Sequence, residues 1–248
     1  MSETTLYLQA GADDVTALVL LSGDPARVRR GAAALEDGRV LNHNREFALA
    51  GGRFRGVPIT LASGGIGAPS TAIAIHELAQ CGARAIVRIG TIMGVGAPLG
   101  SVVLSTGAAR YEGTSARYLP PEYPAIPDWA LTQTLAEAVH SAGLDVRLGL
   151  TSTHDAFYPD MAPELFGEGK LDLRTARRAG VLGMDMESAL LFTLGRVLGV
   201  ATAAVCLVTV QAQPHRRLAQ EQRAALDARM VEATLGGLVR YGVAGASA

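Results

Sequence analysis

What most constrains this chain is a recurrence. Short runs of branched or leucine-rich residues end in glycine and lead into segments of helical character. Residues 15–21 (VTALVLL) stop at Ser22-Gly23-Asp24-Pro25, and 26–35 follows as a helix candidate. Residues 57–62 (VPITLA) stop at Ser63-Gly64-Gly65-Ile66-Gly67, and 69–80 opens with the helix-start residues Pro69 and Ser70. Residues 85–89 (AIVRI) stop at Gly90-Thr91, and a further strand, 101–105 (SVVLS), follows a turn rich in glycine and proline. Strand, glycine loop, helix, strand is the rhythm of an α/β sheet covered on both faces.

The later chain keeps the alternation. Helices are expected at 128–142, 186–198 and 217–241, with strands at 146–152 and 201–210. Residues 111–127, with their four prolines, and residues 157–178 lack a strong period, and long irregular loops in a compact domain are usually functional. No repeat or linker divides the chain, so one domain over 1–248 is expected. At 248 residues, 49% apolar, the chain can bury a substantial core, which excludes disorder. Cys81 and Cys206 alone cannot make a disulfide scaffold.

Charge narrows the partners. The 22 basic residues are all arginine except Lys170, and 23 acids balance them, so no overall cationic field exists to hold a nucleic acid or an anionic membrane. Residues 1–10 lack the basic start and apolar core of a signal peptide. The longest nearly apolar run, 197–210, falls short of the ~20 residues that span a bilayer. The cytoplasm, with both thiols reduced, is the expected location.

Ligands of such sheets gather beyond the carboxyl ends of the strands. There the chain places Gly23 and Arg27, the glycines of SGGIG, and Arg88 with Gly90 and Thr91. Glycines admit a close backbone, amides and a hydroxyl donate, and guanidinium forks match phosphate oxygens in pairs, so the set suits inorganic phosphate or a phosphoryl group. Arg27 alone would also suit a solvated helix. Arg88 lies inside an apolar run, where a bare guanidinium is costly, so it serves a structural ion pair or a ligand. SGGIG matches neither the P-loop nor the dinucleotide pattern. In Met184-Asp185-Met186-Glu187-Ser188 an acid could favour a helix N-terminus or accept from the hydroxyls of a sugar, and both readings stay open.

Taken in order, SGDPARV, NREF, SGGIGAPSTAIAIHELAQ, VRIGT, GTSARYLPPEYPAIPDW, DAFYP and MDMESALLFTLG resemble the signature segments of the nucleoside phosphorylase family, in its uridine phosphorylase branch. The resemblance spans about residues 5–212. It implies a three-layer α/β/α fold around a central mixed, partly barrel-like sheet. It further implies a pentosyltransferase of nucleoside breakdown and salvage, built as homodimers that group into hexamers. Phosphate would attack the anomeric carbon of a nucleoside, releasing base and ribose 1-phosphate. Gly23, Arg27, Arg88 and Thr91 would hold phosphate, with Arg45 donated across the dimer interface. Arg88, Glu187 and Arg27 would carry catalysis, while Tyr7, Met186 and Glu187 hold the ribose. Glu46, Ile66 and Ser70 match positions that hold a monovalent cation, potassium, between subunits in some members. No other cofactor is implied.

The resemblance weakens at the base. Where uracil-reading members carry glutamine and arginine after FYP, this chain has Met161 and Pro163. Gln211 and Ala212 stand where relatives place an aspartate or an arginine, and Tyr7 stands where most have histidine. Ile92 and Met93 replace a small residue and a glycine, which would crowd the base side of the cleft. Phe157, Met93, Met161 and Gln211 are the base candidates, with His154, Asp155, Gln213 and His215 as polar neighbours that also suit structural roles. An altered base preference is the expectation. A phosphate-binding protein without turnover, and a hydrolase of the same fold, are the alternatives, though three retained arginines favour phosphorolysis.

Overall fold

A computed structural model describes residues 4–161, 172–211 and 214–246, the side chains of 160, 161, 245 and 246 excepted. Its strands are β1 (Leu18–Ser22), β2 (Glu36–Asn44), β3 (Phe47–Phe54), β4 (Val57–Ser63), β5 (Ala85–Gly94), β6 (Val102–Tyr111), β7 (Val146–His154), β8 (Val181–Asp185), β9 (Ala201–Gln211) and β10 (Arg216–Arg217). Its helices are α1 (Pro25–Ala32), α2 (Ala68–Gln80), α3 (Trp129–Ser141), α4 (Tyr158–Met161), α5 (Leu173–Arg178), α6 (Ser188–Leu198) and α7 (Gln220–Ala246). The strands join in the order β10-β9-β6-β7-β8-β5-β1-β4-β3-β2, and β9 also pairs with β5. That extra pairing closes β5, β8, β7, β6 and β9 into a five-strand barrel, from which β1, β4, β3 and β2 extend as an open arm.

The two faces of β1 explain the layering. Leu18 and Leu20 pack with α1, α3 and α7, while Val19 and Leu21 pack with α2 and α6. A strand buried on both sides reads as an unbroken apolar run, which is why VTALVLL stood out. Helices thus cover the mixed sheet on both faces, as the three-layer expectation held.

Several boundaries differ from expectation, each for a tertiary reason. β5 does not stop at Gly90 but runs to Gly94, because β9 pairs with it from Ala85↔Ala201 to Gly94↔Gln211. A register shift between Ile92 and Met93 then lets β8 pair antiparallel at Met93↔Met184. β6 likewise runs to Tyr111 beside β7. The hairpin β2–β3 was not foreseen: β2 (EDGRVLNHN) is an edge strand with mostly exposed side chains and no apolar alternation. β8 and the short α4 and α5 lie in or beside the stretch read as irregular. The last helix starts at Gln220, since Arg216 and Arg217 pair with Gln211 and Val210 as β10.

Candidate active site

The first loop shapes one wall. Asp24 caps α1 by accepting from the Ala26 amide at 2.8 Å, and Pro25 presets the first helical turn. Arg27, one turn in, points back over the strand ends and is only 9% exposed. Its Nη1 donates to Ser22 Oγ at 2.8 Å and to the Ile89 carbonyl at 3.3 Å. Its Nε and Nη2 donate to Asp227 of α7 at 3.3 and 2.9 Å. Arg27 is therefore not a solvated helix residue. Gly23 sits so close to the second glycine loop that a Cβ there would lie 2.9 Å from the Gly65 carbonyl oxygen. Two backbones meet where only glycine fits.

Arg88 projects from the middle of β5 and is 6% exposed. Its Nη2 donates to Glu187 Oε2, its Nη1 donates to Cys206 Sγ at 2.9 Å, and Asp185 Oδ2 lies 3.6 Å from Nη1. The guanidinium lies over Gly90, where any Cβ would collide with it. Burial by itself lowers the Arg88 pKa, but the carboxylates of Glu187 and Asp185 outweigh it and hold the group above the ordinary arginine value. Burial pushes the Cys206 thiol up to about 12 against the opposing pull of Arg88, so sulfur meets the guanidinium as a neutral thiol. Such a buried cluster tolerates its charges because each is paired. Thr91, half-buried, follows in the same strand.

The two acids of MDMES make different contacts. Asp185 serves the helix start: both its carboxylate oxygens accept from the Ser188 amide, at 3.3 and 3.2 Å, and it also takes the Ser188 and Thr153 hydroxyls. Glu187 does not cap α6, which begins at Ser188 rather than Met186. Its Oε2 meets Arg88 and its Oε1 accepts from the Gly67 amide at 2.7 Å. The arginine of β5, the acid before α6 and the end of SGGIG are thus one bonded unit. Met186 is half-buried beside it.

Arg45 and Tyr7 lie elsewhere on the surface. Arg45 is exposed at the β2–β3 turn with φ 56°, and its Cζ stands 5.9 Å from the centre of the Tyr7 ring. Glu77 of α2 holds the segment carrying Tyr7 by accepting from the Tyr7 amide at 3.0 Å and the Leu8 amide at 2.6 Å. Among the described residues of one chain, no contact joins Arg45 or Tyr7 to Arg88 or Glu187. Ser70 Oγ donates to Glu46 Oε1 at 3.1 Å, in space that Gly65 leaves by lacking a side chain. Ile66 beside them is 76% exposed.

The base candidates are more scattered. Met93 is 1% exposed in an apolar cluster with Val95, Ala176, Val181 and Met184, against which Phe157 packs part of its ring. Gln211 Nε2 donates to the Ala97 carbonyl at 3.5 Å. His154 is buried, stacks on Tyr111 at 4.9 Å and bonds Ser152 Oγ, and Asp155 accepts from the Gly113 amide. His215 Nε2 accepts from Arg217 Nε at 3.3 Å. The Met161 side chain, Pro163, Ala212 and Gln213 lie outside the described residues. Sequence reading missed Cys206, Asp227 and the Gly67 amide. Only the apolar setting of Arg88 hinted that partners were needed.

Residues 17–245 match the family model described as the phosphorylase superfamily. A uridine phosphorylase of Thermococcus kodakarensis is 38% identical over 209 residues, covering 79% of this chain and 73% of that protein. A guanosine phosphorylase of Halorubrum lacusprofundi is 35% identical over 204 residues, covering 82% and 81%. Among solved structures, a purine nucleoside phosphorylase from Toxoplasma gondii in complex with immucillin-H superposes with a TM-score of 0.87 at 27% identity, covering 97% of each chain. A uridine phosphorylase from Vibrio fischeri superposes at 0.81 with 29% identity, covering 96% of this chain and 94% of that one.

Proposed function

The chain belongs to the phosphorylase superfamily, and we propose that the cluster around Arg88 and Glu187 is where it cleaves nucleosides with inorganic phosphate. It is a nucleoside phosphorylase, a pentosyltransferase yielding free base and a pentose 1-phosphate. In this reading Gly23, Arg27, Arg88 and Thr91 hold phosphate, Arg45 reaches in from a second copy, and Glu187 accepts from the ribose hydroxyls with Met186 and Tyr7 beside the sugar. A phosphate oxygen forms the new bond to the anomeric carbon as the bond to the base nitrogen breaks, its electron pair leaving with the base. Positive charge builds on the sugar ring in that transition state, and a phosphate dianion held in line both attacks and stabilises it.

The observation that carries this reading is the Arg88–Glu187 bond, with Gly67 on the far oxygen. It puts the group suited to an oxyanion and the group suited to vicinal hydroxyls one contact apart, as a sugar phosphate requires. Phe157 offers the base a partly buried ring, and Gln211 can hydrogen-bond a base but has no acidic proton to give. That composition favours a base preference unlike that of the uracil-reading pattern. The reading also makes the enzyme a homodimer, or a hexamer of three dimers, in the cytoplasm, with potassium at Glu46, Ile66 and Ser70. Among the described residues no helix is long and apolar enough to cross a membrane.

The test is base release from purine and pyrimidine nucleosides with and without inorganic phosphate. Release only with phosphate, together with ribose 1-phosphate, is expected. Equal release without phosphate makes the protein a hydrolase, and no release from any nucleoside overturns the enzymatic reading.

A further inference from the structure

We infer that Asp227, on the C-terminal helix, is a positioning residue for phosphate. It fixes the Arg27 guanidinium so that the Nη1 edge faces the anion site. The inference rests on the phosphorolytic reading above and adds to it a residue 200 positions away in the chain.

A guanidinium has five N–H groups in a rigid plane. Asp227 takes one from Nε at 3.3 Å and one from Nη2 at 2.9 Å, which is the two-pronged grip of a carboxylate on one edge of the fork. Gripped there, the plane cannot turn about its last bond. The remaining edge then points at Ser22 Oγ and the Ile89 carbonyl, the atoms next to Gly23 and Gly90. A phosphate between those glycines would take over the Nη1 hydrogens now given to Ser22 Oγ and the Ile89 carbonyl, with the fork already lying in the right plane. Without the acid, the arginine keeps more rotamer freedom and must give it up when a ligand fixes it.

Two opposing effects must be weighed. The Asp227 charge also offsets the pull of Arg27 on a dianion. But Asp227 holds the edge of the fork turned away from the site, and it borders a cavity of about 950 Å³ between α1 and α7, lined by Arg30, Phe54, Leu218, Arg223 and Val231 among others. An anion at Nη1 would meet the guanidinium first and the carboxylate only across the width of the fork, so by distance the attraction exceeds the repulsion. The same cavity argues against a mere clip between helices. The pair lies at the wall of that cavity, with the Asp227 side chain 16% exposed, and Asp227→Asn keeps its volume, so that variant removes the charge and not the packing.

The test uses Asp227→Asn and Asp227→Ser, with Asp227→Glu as the conservative rescue. Initial rates against phosphate and against nucleoside, together with calorimetric titration of inorganic phosphate, give the readouts. Asn and Ser are expected to raise the phosphate KM and weaken phosphate binding about tenfold, as for one lost charge-assisted contact. The nucleoside KM and the kcat at saturating phosphate should stay within about twofold, and Glu should recover most of the loss. An unchanged or lower phosphate KM in a folded Asn or Ser variant, or a Glu variant no better than Asn, overturns the inference. A fall in thermal midpoint with phosphate binding intact reduces Asp227 to a helix clip and overturns it equally. If the wild-type protein binds phosphate but releases no base, the reaction fails while the titrations still decide the role of Asp227. A wild-type protein that binds no phosphate overturns both.

Discussion

On the proposed phosphate and ribose side, Arg88, Glu187 and the amide of Gly67 are joined by directional bonds, Arg27 is held by Ser22, the Ile89 carbonyl and Asp227, and Gly23 touches Gly65 through bare backbone. On the proposed base side, Met93 and Phe157 share an apolar cluster with Met184 and Val181. The first set depends on distances that one added carbon would spoil. The second depends on volume, which many residues can fill. The contrast teaches why one half of the site matches family segments closely and the other departs from them. Phosphate is the same whichever nucleoside is cleaved and the pentose varies little, whereas a base pocket can be refilled without disturbing the strands beneath it.

The comparison breaks first at Arg88. Arg88→Ala should cut phosphate-dependent turnover by about 10²–10³-fold, the loss expected from a donor to developing charge. It also strips the counter-charge from the buried acids Asp185 and Glu187, which should cost about 3–5 kcal/mol in urea unfolding. Turnover with unaltered phosphate dependence would detach Arg88 from the anion. Met93→Ala sharpens the other side. If Met93 is packing rather than cleft wall, the substitution should cost about 2–5 kcal/mol of stability and leave the phosphate KM alone. A stable variant with a changed choice of nucleoside would instead place Met93 against the base.

Glu187→Gln is expected to cost about 1.5–3 kcal/mol of ribose recognition. Paired assays on ribo- and 2'-deoxyribonucleosides should therefore show the preference for ribose shrinking about tenfold or more. An unaltered ratio would remove Glu187 from the sugar. The smallest effect concerns Cys206. Its pKa is raised by burial, so the native state holds the proton more tightly than the unfolded chain. The stability this confers is complete below the unfolded thiol value of 9.0 and is lost as pH rises toward about 12. By about pH 10 the loss should be about 1 kcal/mol relative to Cys206→Ala, measured by urea midpoints at both ends of that range. Parallel pH profiles for the two proteins would show that the thiol is not so shielded.

Much of the architecture was legible because its signals are local. The stretches 18–21 (LVLL) and 59–62 (ITLA) are buried on two faces and so are nearly all apolar, and Asp24-Pro25 and Pro69 favour helix starts by their own chemistry. The hairpin of β2 and β3 was illegible for the opposite reason. An exposed edge strand needs no apolar face, and EDGRVLNHN resembles a polar loop. Gly90 looked like the end of a strand, yet β5 passes through it, because strand pairing with β9 outweighs the weak preference of one glycine.

The site divides along the same line. The sequence by itself determined which residue types the candidate site draws on, Gly23 and Arg27 after β1, Arg88 and Thr91 within β5, Met186 and Glu187 after β8, because sterics and hydrophobicity act between near neighbours. Only the tertiary structure decided that Glu187 hydrogen-bonds Arg88 while Asp185 stands 3.6 Å off, that Cys206 accepts from the same guanidinium, and that Asp227 grips Arg27. Those partners lie 99, 118 and 200 residues apart in the chain. Their meeting depends on sheet register and on how α7 lies across α1, which no local pattern encodes.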